Sequence, residues 1–192
     1  MAEAGTEAER IARAREGDLA AWGELYDRHA PEVAQLLSRT LGPELDLEDA
    51  VQEAFLRLRE RFDKLQKPAS LRSYLLGIAR NVALDRARSA AARGAREAQV
   101  EARRGLAPSA ADEVSRAERR ALAREALAAV DPELRSVLAL RHLEGTTLAD
   151  LAATLSCSVP TARARLREAA AQLALELRAR GIDPEELRHE LA

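Results

Sequence analysis

A single cysteine, Cys157, stands among 192 residues, so no internal disulfide can form and a reducing compartment fits. Aromatic residues make up 3% of the chain, and β-branched stretches are few, which argues against sheets. Neither sign of charge dominates: 30 bases face 32 acids, for a formal net charge of −2. This is therefore not a polybasic protein that coats nucleic acid indiscriminately. No apolar run is long enough to cross a membrane, and the start, from Met1 to Arg10, holds no apolar signal core. No membrane insertion is expected, and a cytoplasmic location is the default. His29, His142 and His189 are scattered, none at ligand spacing to a cysteine or a second histidine. A Gly-rich phosphate loop and a nucleophile elbow are both missing. No catalytic residue, metal or cofactor is expected, and the chain does not read as an enzyme.

Alanine, leucine, arginine and glutamate are abundant, and they point to an all-α protein. The charge is unevenly placed. Between Glu44 and Glu53 stand Glu44, Asp46, Glu48, Asp49 and Glu53 with no base, whereas from Arg57 to Arg93 only Glu60, Asp63 and Asp85 oppose the bases. One acidic and one basic surface imply two different partners.

The run from Thr147 to Arg167 carries the most specific local pattern. Thr147 followed by Asp150 reads as an N-cap with an acid three residues on, close to a capping box, and Leu148, Leu151, Ala152 and Leu155 share one face of a short helix. Ser156, Cys157 and Ser158 break that helix. Ser158 can cap a second one, with Pro160 in its first turn, where the missing N–H costs little. The second helix opens with Thr161, Arg163, Arg165 and Arg167. This is the layout of a helix-turn-helix, whose second helix enters the major groove with arginines for phosphates and guanine edges. The plainer reading is a helical hairpin with a solvated arginine face.

Along the rest of the chain, residues 1–90 read as one compact helical domain and 120–180 as a second. Residues 91–119 join them as a flexible polar linker, and a short helical tail covers 181–192. A first helix is expected from near Thr6 to Glu16, and a second from Leu19 towards His29, burying Leu19, Trp22, Leu25 and Tyr26. Pro31 should open a third, with Val33, Leu36, Leu37 and Leu41, stopped by Gly42 and Pro43.

The next helix, about Leu47 to Leu65, buries Leu47, Ala50, Val51, Ala54, Phe55, Leu58, Phe62 and Leu65. Its opposite stripe is Asp49, Gln52, Glu53, Leu56 and Glu60, an acidic face with one apolar anchor. Such a face suits docking of a basic helical partner, although isolated exposed leucines are common. After a loop from Asp63, Ser70 can cap a helix from Leu71 to about Ser89 with Leu71, Leu75, Ile78 and Val82 inward. Tyr74, Asn81, Asp85 and Arg88 lie along one flank, with Arg72, Arg80 and Arg86 elsewhere off the core. A strand-binding surface fits this helix: arginines and lysines for phosphates, Asn81 for a base edge and Tyr74 for stacking. The bland alternative is salt-bridge decoration, such as Asp85 with Arg88. In the second unit, Leu122, Ala126, Leu127 and Val130 precede the cap Asp131 and Pro132, and Leu134, Val137, Leu138 and Leu140 follow.

Three segments now add up to a resemblance. Asp49-Ala-Val-Gln-Glu-Ala-Phe-Leu-Arg-Leu, Leu75-Leu-Gly-Ile-Ala-Arg-Asn-Val-Ala-Leu-Asp-Arg-Ala-Arg88 and Leu138-Ala-Leu-Arg-His-Leu-Glu-Gly145 occur in order, on two helical units with a polar linker. From about Leu19 to Leu177 the chain resembles bacterial RNA polymerase sigma factors of the extracytoplasmic-function (ECF) type. The resemblance implies a transcription initiation factor that binds core RNA polymerase, directs it to specific promoters and promotes melting. Asp49, Gln52, Glu53 and Leu56 would bind the clamp helices of the largest polymerase subunit. Lys64, Lys67, Arg72, Tyr74, Arg80, Asn81 and Arg88 would engage the minus-ten element, where a base is flipped into a protein pocket. Ser158, Thr161, Arg163, Arg165 and Arg167 would read the minus-thirty-five element, with the second domain near the polymerase flap region. An anti-sigma factor is implied as a further partner.

Two positions depart from the family. Pro160 stands where glycine is frequent, and Glu168-Ala-Ala-Ala-Gln172 replaces a basic run. A glutamate beside the groove repels phosphate, so weak DNA affinity is expected of this domain alone. Two other functions remain open on the residues: a stand-alone helix-turn-helix regulator, which would need neither the acidic face nor the first domain, and a degenerate sigma-like protein-interaction adaptor.

Overall fold

The computed structural model describes residues 6–41, 46–64, 71–98, 116–143 and 145–185. Its elements are α1 (Glu7–Arg15), α2 (Leu19–Thr40), α3 (Leu47–Glu60), a 3₁₀ turn at Phe62–Lys64, α4 (Leu71–Ala98), α5 (Arg116–Ala129), α6 (Pro132–Arg141), α7 (Leu148–Thr154) and α8 (Val159–Ala179). The fold is all-α, with no strand among the described residues. None of these helices is long and apolar enough to cross a membrane. Lys67, Leu65, the proposed Ser70 cap, the Gly42 and Pro43 stop and residues 99–115 lie outside the described residues.

Helix starts follow their caps. Thr6 and Glu9 make a reciprocal capping box on α1. Asp18 accepts from the N–H groups of Ala20 and Ala21 at 2.8 and 3.2 Å. These two backbone donors, with the Arg13 guanidinium, hold the Asp18 carboxyl below its ordinary pKa.

One expectation fails along α2. Pro31 does not open a new helix but lies inside a continuous helix from Leu19 to Thr40. Pro31 and Asp27 are both exposed, so the carbonyl left without an N–H partner faces water. Meanwhile Leu25, His29, Val33, Leu36 and Leu37 keep one buried stripe running past the proline. Leu19 is 75% exposed rather than buried, and Tyr26 is 38% exposed with its ring 4.6 Å from Phe55. Trp22 is half-buried against Phe62. The buried stripe of α3 appears as expected at Ala50, Val51, Ala54, Phe55 and Leu58, except that Leu47 at its start is 37% exposed.

Helix α4 packs on α2 and α3 through Leu71, Leu75, Ile78 and Val82, and it continues beyond Ser89 to Ala98. Helix α5 likewise begins inside the expected linker, at Arg116. The two helical units are not held apart. Helix α6 packs on α2 and α4, and α7 packs on α4. Val137, Leu140, Leu143, Leu151 and Ala162 therefore share one buried cluster with Leu25, Leu36, Leu75 and Val82. A small separate cluster of Ala126, Leu177 and Ile182 joins α5 to the end of α8.

Candidate nucleic-acid and partner-binding surfaces

The acidic face is built by α3. Asp46 caps the helix by accepting from the N–H groups of Glu48 and Asp49 at 3.1 and 3.2 Å. With the apolar stripe turned inward, Asp49, Gln52 and Glu60 are exposed and Leu56 is 60% exposed. Glu53 behaves differently. Its Oε1 accepts from Arg57 at 2.6 Å, and its Oε2 accepts from Nε and Nη2 of Arg86 at 3.1 and 2.9 Å. Arg57 also donates to Asp85 at 2.9 Å, and that hydrogen bond is the main cause of its raised pKa. Glu53 thus ties α3 to α4 and offers a partner little free acceptor capacity. What remains open is Asp49, Gln52, Leu56 and Glu60.

The basic face is built by α4, and its members separate into two groups. Arg72 is committed to structure: its Nε and Nη2 both donate to the Glu32 carboxylate on α2, and Nη2 also donates to Thr146 Oγ1 at 3.1 Å. Tyr74, Arg80 and Asn81 come together instead. They line one cleft of about 330 Å³ with Gly77 and Ile78, and its opposite wall is Ala153, Thr154, Leu155 and Ser156 from the helix-turn-helix. Asn81 is exposed there, while the Arg80 side chain is only 14% exposed. Arg80 Nε donates to Ser136 Oγ at 2.8 Å, and Glu133 lies 3.9 Å from Nη2. Burial lowers the Arg80 pKa, the nearby Glu133 opposes that shift, and Arg165 and Arg88 reinforce it. Arg88 donates to Glu133 at 3.2 Å and lies 3.6 Å from Asp85, the decorative pair that the sequence offered. Lys64 ends the 3₁₀ turn that leads into this region.

The helix-turn-helix forms with the expected chemistry. Thr147 and Asp150 make a reciprocal capping box, which holds the Asp150 carboxyl below its ordinary pKa. Ser156 takes the turn at φ 51°, and Pro160 falls in the first turn of α8. Ser158, one of the residues proposed for DNA, accepts from Thr161 N–H at 3.3 Å and meets Thr161 Oγ1 at 2.8 Å. Its hydroxyl is therefore engaged in capping. Arg163, Arg165 and Arg167 are all exposed. They do not share a face. At about 100° per residue, Arg163 and Arg165 point about 200° apart around the helix, on either side of the stripe formed by buried Ala162 and Ala169 and half-buried Leu166. Arg165 and Glu168 line a cleft of about 510 Å³ with Arg80, Glu133 and Val137, whereas Arg163 and Arg167 lie on the opposite flank.

Residues that the sequence reading passed over hold these surfaces together. Glu133 reads locally as an acid suited to the first turn of α6, and nothing nearby in the chain points to Arg80 or Arg88. Ser136, which the structure buries fully, was the better hint, as a polar residue directly before the apolar Val137 and Leu138. Gly77 was another, because a glycine inside a helical pattern commonly marks close packing. A Cβ there would lie 3.2 Å from the Thr154 carbonyl oxygen. Among the described residues, no group of histidine, cysteine, aspartate and glutamate is arranged to hold a metal ion.

Two helical units, one with an outward acidic helix and a basic one beside it, the other with a capped helix-turn-helix, match known families. The model of Sigma-70 region 2 matches residues 25–93, and that of Sigma-70, region 4 matches residues 120–173. This defines a two-region protein of the sigma-70 class. The chain is 29% identical over 178 residues to the ECF RNA polymerase sigma-E factor of Escherichia coli (strain K12), covering 86% of this chain and 91% of that one. It is 30% identical over 174 residues to the ECF RNA polymerase sigma factor SigL of Mycobacterium tuberculosis (strain ATCC 35801 / TMC 107 / Erdman), covering 90% and 98%. The solved structure of CnrH in complex with the cytosolic domain of CnrY matches with a TM-score of 0.63 at 28% identity, covering 90% of this chain and 97% of that one. The chain belongs to the ECF family of RNA polymerase sigma factors.

Proposed function

We infer that this chain is a non-catalytic transcription initiation factor that acts in the cytoplasm, carrying core RNA polymerase to selected promoters and helping to open them. The observation that carries the reading is family membership across both helical regions, joined to a free acidic face on α3. In this reading Asp49 and Gln52 meet the basic clamp helices of the largest polymerase subunit, and Leu56 is the apolar anchor. Glu53 contributes by fixing α3 against α4 rather than by direct contact. Tyr74, Arg80 and Asn81, with Arg88 and the lysines Lys64 and Lys67, take the minus-ten strand: stacking on the ring, a base edge at the amide and phosphates at the cations. Thr161, Arg163, Arg165 and Arg167 take the minus-thirty-five duplex. The working division is a first domain over 1–90, a linker over 91–119, a second domain over 120–180 and a tail over 181–192. Promoter DNA, core polymerase with its flap region, and an anti-sigma factor are the partners, and no cofactor is required.

Each DNA surface is small, and Glu168 opposes phosphate beside Arg165. Joint docking on polymerase raises the effective concentration of both domains at the promoter. In vitro transcription with purified core polymerase on a library of promoter fragments tests the reading. Selective initiation that depends on this chain is expected, and absence of any polymerase binding would overturn it.

A further inference from the structure

Arg61, at the far end of α3, is fixed through its backbone while its side chain projects into solvent. It is the C-cap of that helix, and its N–H donates to the Leu58 carbonyl at 3.1 Å. The next residue, Phe62, is buried with its ring 4.5 Å from that of Trp22, so the chain is anchored on both sides of Arg61. The other arginines of this basic region are committed. Arg57 donates to Glu53 and Asp85, Arg72 to Glu32, Arg80 to Ser136 and Arg86 to Glu53. Arg61 is exposed, and among the described residues no hydrogen bond or ion pair engages its guanidinium, although Glu60 and Asp63 stand close by in the chain. It nevertheless lines the same cleft of about 330 Å³ as Tyr74, Gly77 and Asn81. These three fall on successive turns along one side of α4, and the glycine puts no side chain between the ring and the amide. Such a volume is at the small end of ligand pockets and suits one unstacked base rather than a duplex.

We propose that Arg61 is a specificity-determining residue that selects guanine at one position of the minus-ten strand. The proposal rests on the reading of Tyr74 and Asn81 as contacts to that strand. A guanidinium brings only donors, in a planar fork, whereas the Asn81 amide brings donors and an acceptor. Guanine suits the pair. Its O6 and N7 accept side by side on one edge, where the fork of Arg61 fits, and its N1–H and N2–H groups donate on another, where the Asn81 carbonyl accepts. Adenine sets an amino donor beside N7 and opposes the fork. The Tyr74 ring supplies the stacking face. Helix α3 then serves two partners: Asp49, Gln52 and Leu56 along its side face polymerase, and Arg61 at its end faces DNA.

The test uses holoenzyme assembled with the full chain and selection on promoter fragments whose minus-ten element is randomised. The unaltered chain should prefer guanine at one position by about fivefold to a hundredfold, the discrimination that a bidentate arginine supplies. Arg61→Ala should lose that preference and keep those at other positions. Arg61→Lys retains the charge without the fork and should lose it too. Arg59→Ala removes an equal charge from an exposed site outside the cleft and should keep it. Circular dichroism checks that each variant folds. A promoter carrying 7-deazaguanine, which lacks the N7 acceptor, should open less readily with the unaltered chain and no differently with Arg61→Ala. The proposal is overturned if the unaltered chain selects no guanine, if Arg61→Ala or Arg61→Lys retains the preference, or if Arg61→Ala weakens all four bases evenly, as loss of a phosphate contact does. Asn81→Ala separates the two failures. If its selection profile changes while that of Arg61→Ala does not, only the role of Arg61 is wrong; if neither profile differs from that of the unaltered chain, the reading of the α4 cleft as a strand site is itself wrong.

Discussion

Helices α3 and α4 are neighbours in one domain, and their outward faces stand in opposite conditions. On α3, Asp49, Gln52 and Leu56 are exposed and, among the described residues, meet no partner in the second domain. On α4, Arg80 is largely buried and Arg88 is paired across the junction. Both faces are charged and both belong to the same family motif, so composition does not separate them. The difference comes from which face the second domain reaches. The outward face of α3 stands open to solvent, whereas the basic face of α4 meets Glu133, Ser136 and the residues of the helix-turn-helix.

The largest effect is expected from the α4 residues proposed for DNA. The double variant Arg80→Ala, Asn81→Ala should reduce open-complex formation by about tenfold to a hundredfold, from the discrimination that good base-edge and phosphate contacts supply. Polymerase binding should be unchanged, because neither residue lies on α3. Permanganate footprinting of the melted region reads the first quantity and pull-down of core polymerase the second. Normal thymine reactivity would leave α4 with structural salt bridges alone.

On α3 the comparison sharpens into two neighbouring acids. Asp49→Lys should weaken holoenzyme formation by about tenfold at low salt and less at high salt, with the thermal melt unchanged. Glu53→Lys should act mainly on the fold. It would place a cation against Arg57 and Arg86, which now share the Glu53 carboxylate, at a cost of about 1–3 kcal/mol for a partly buried pair left unpaired. Equal thermal stability of the two variants would break this distinction.

A smaller effect concerns α8. Because Arg163 and Arg165 lie on opposite flanks, their alanine variants should not behave alike. If Arg165 reads a base edge, Arg165→Ala relaxes specificity at one base pair by about 1–3 kcal/mol. Arg163→Ala should then weaken binding evenly across sequences and flatten the salt dependence, as loss of a phosphate contact does. Selection on randomised minus-thirty-five duplexes with holoenzyme measures both, and identical sequence profiles would require a rotated helix in the groove.

Local rules made much of this legible. The Thr147 and Asp150 capping box, the Ser158 cap, Pro160 in a first turn and the buried stripe of α3 are each decided within a few residues. Pro31 escaped those rules, since whether a proline ends a helix depends on whether the freed carbonyl reaches water and whether a buried stripe continues beyond it. Glu53 and Arg72 escaped for a related reason. Their side chains are claimed by Arg86 and Glu32, 33 and 40 residues away along the chain, and helical periodicity carries no information at that range. The closure of α6 and α7 on α4 lies wholly beyond the local pattern. Gly77 inside a helical pattern was its trace in the sequence.

Acid provides the mildest test of whether this packing is uniform. His29 is buried on α2 near Glu7, Arg28, Glu32 and Arg72, and burial, partly opposed by Glu7, pushes its pKa below the ordinary 6.5. Among the described residues its Nε2 has no hydrogen-bond partner, and a Glu7 carboxylate oxygen lies 3.6 Å from it. The unfolded chain takes up a proton on His29 near pH 6.5, while the folded chain resists until a lower pH. Within that window the unfolded state holds more protons, so stability falls as pH falls, and above it this residue contributes no pH dependence. His142, at the junction beside Arg39 and Arg141, is shifted the same way, first by burial. Asp18 and Asp150 are held below the ordinary 3.8, so their contribution persists through this window and is lost only in stronger acid. The thermal midpoint should therefore be level from pH 8 to about 6.5 and decline below it. His29→Gln should flatten that decline if the α1–α2 contact is the acid-sensitive place, and His142→Gln should flatten it if the junction is. A decline untouched by both variants would assign it to neither histidine and remove pH as a probe of the junction.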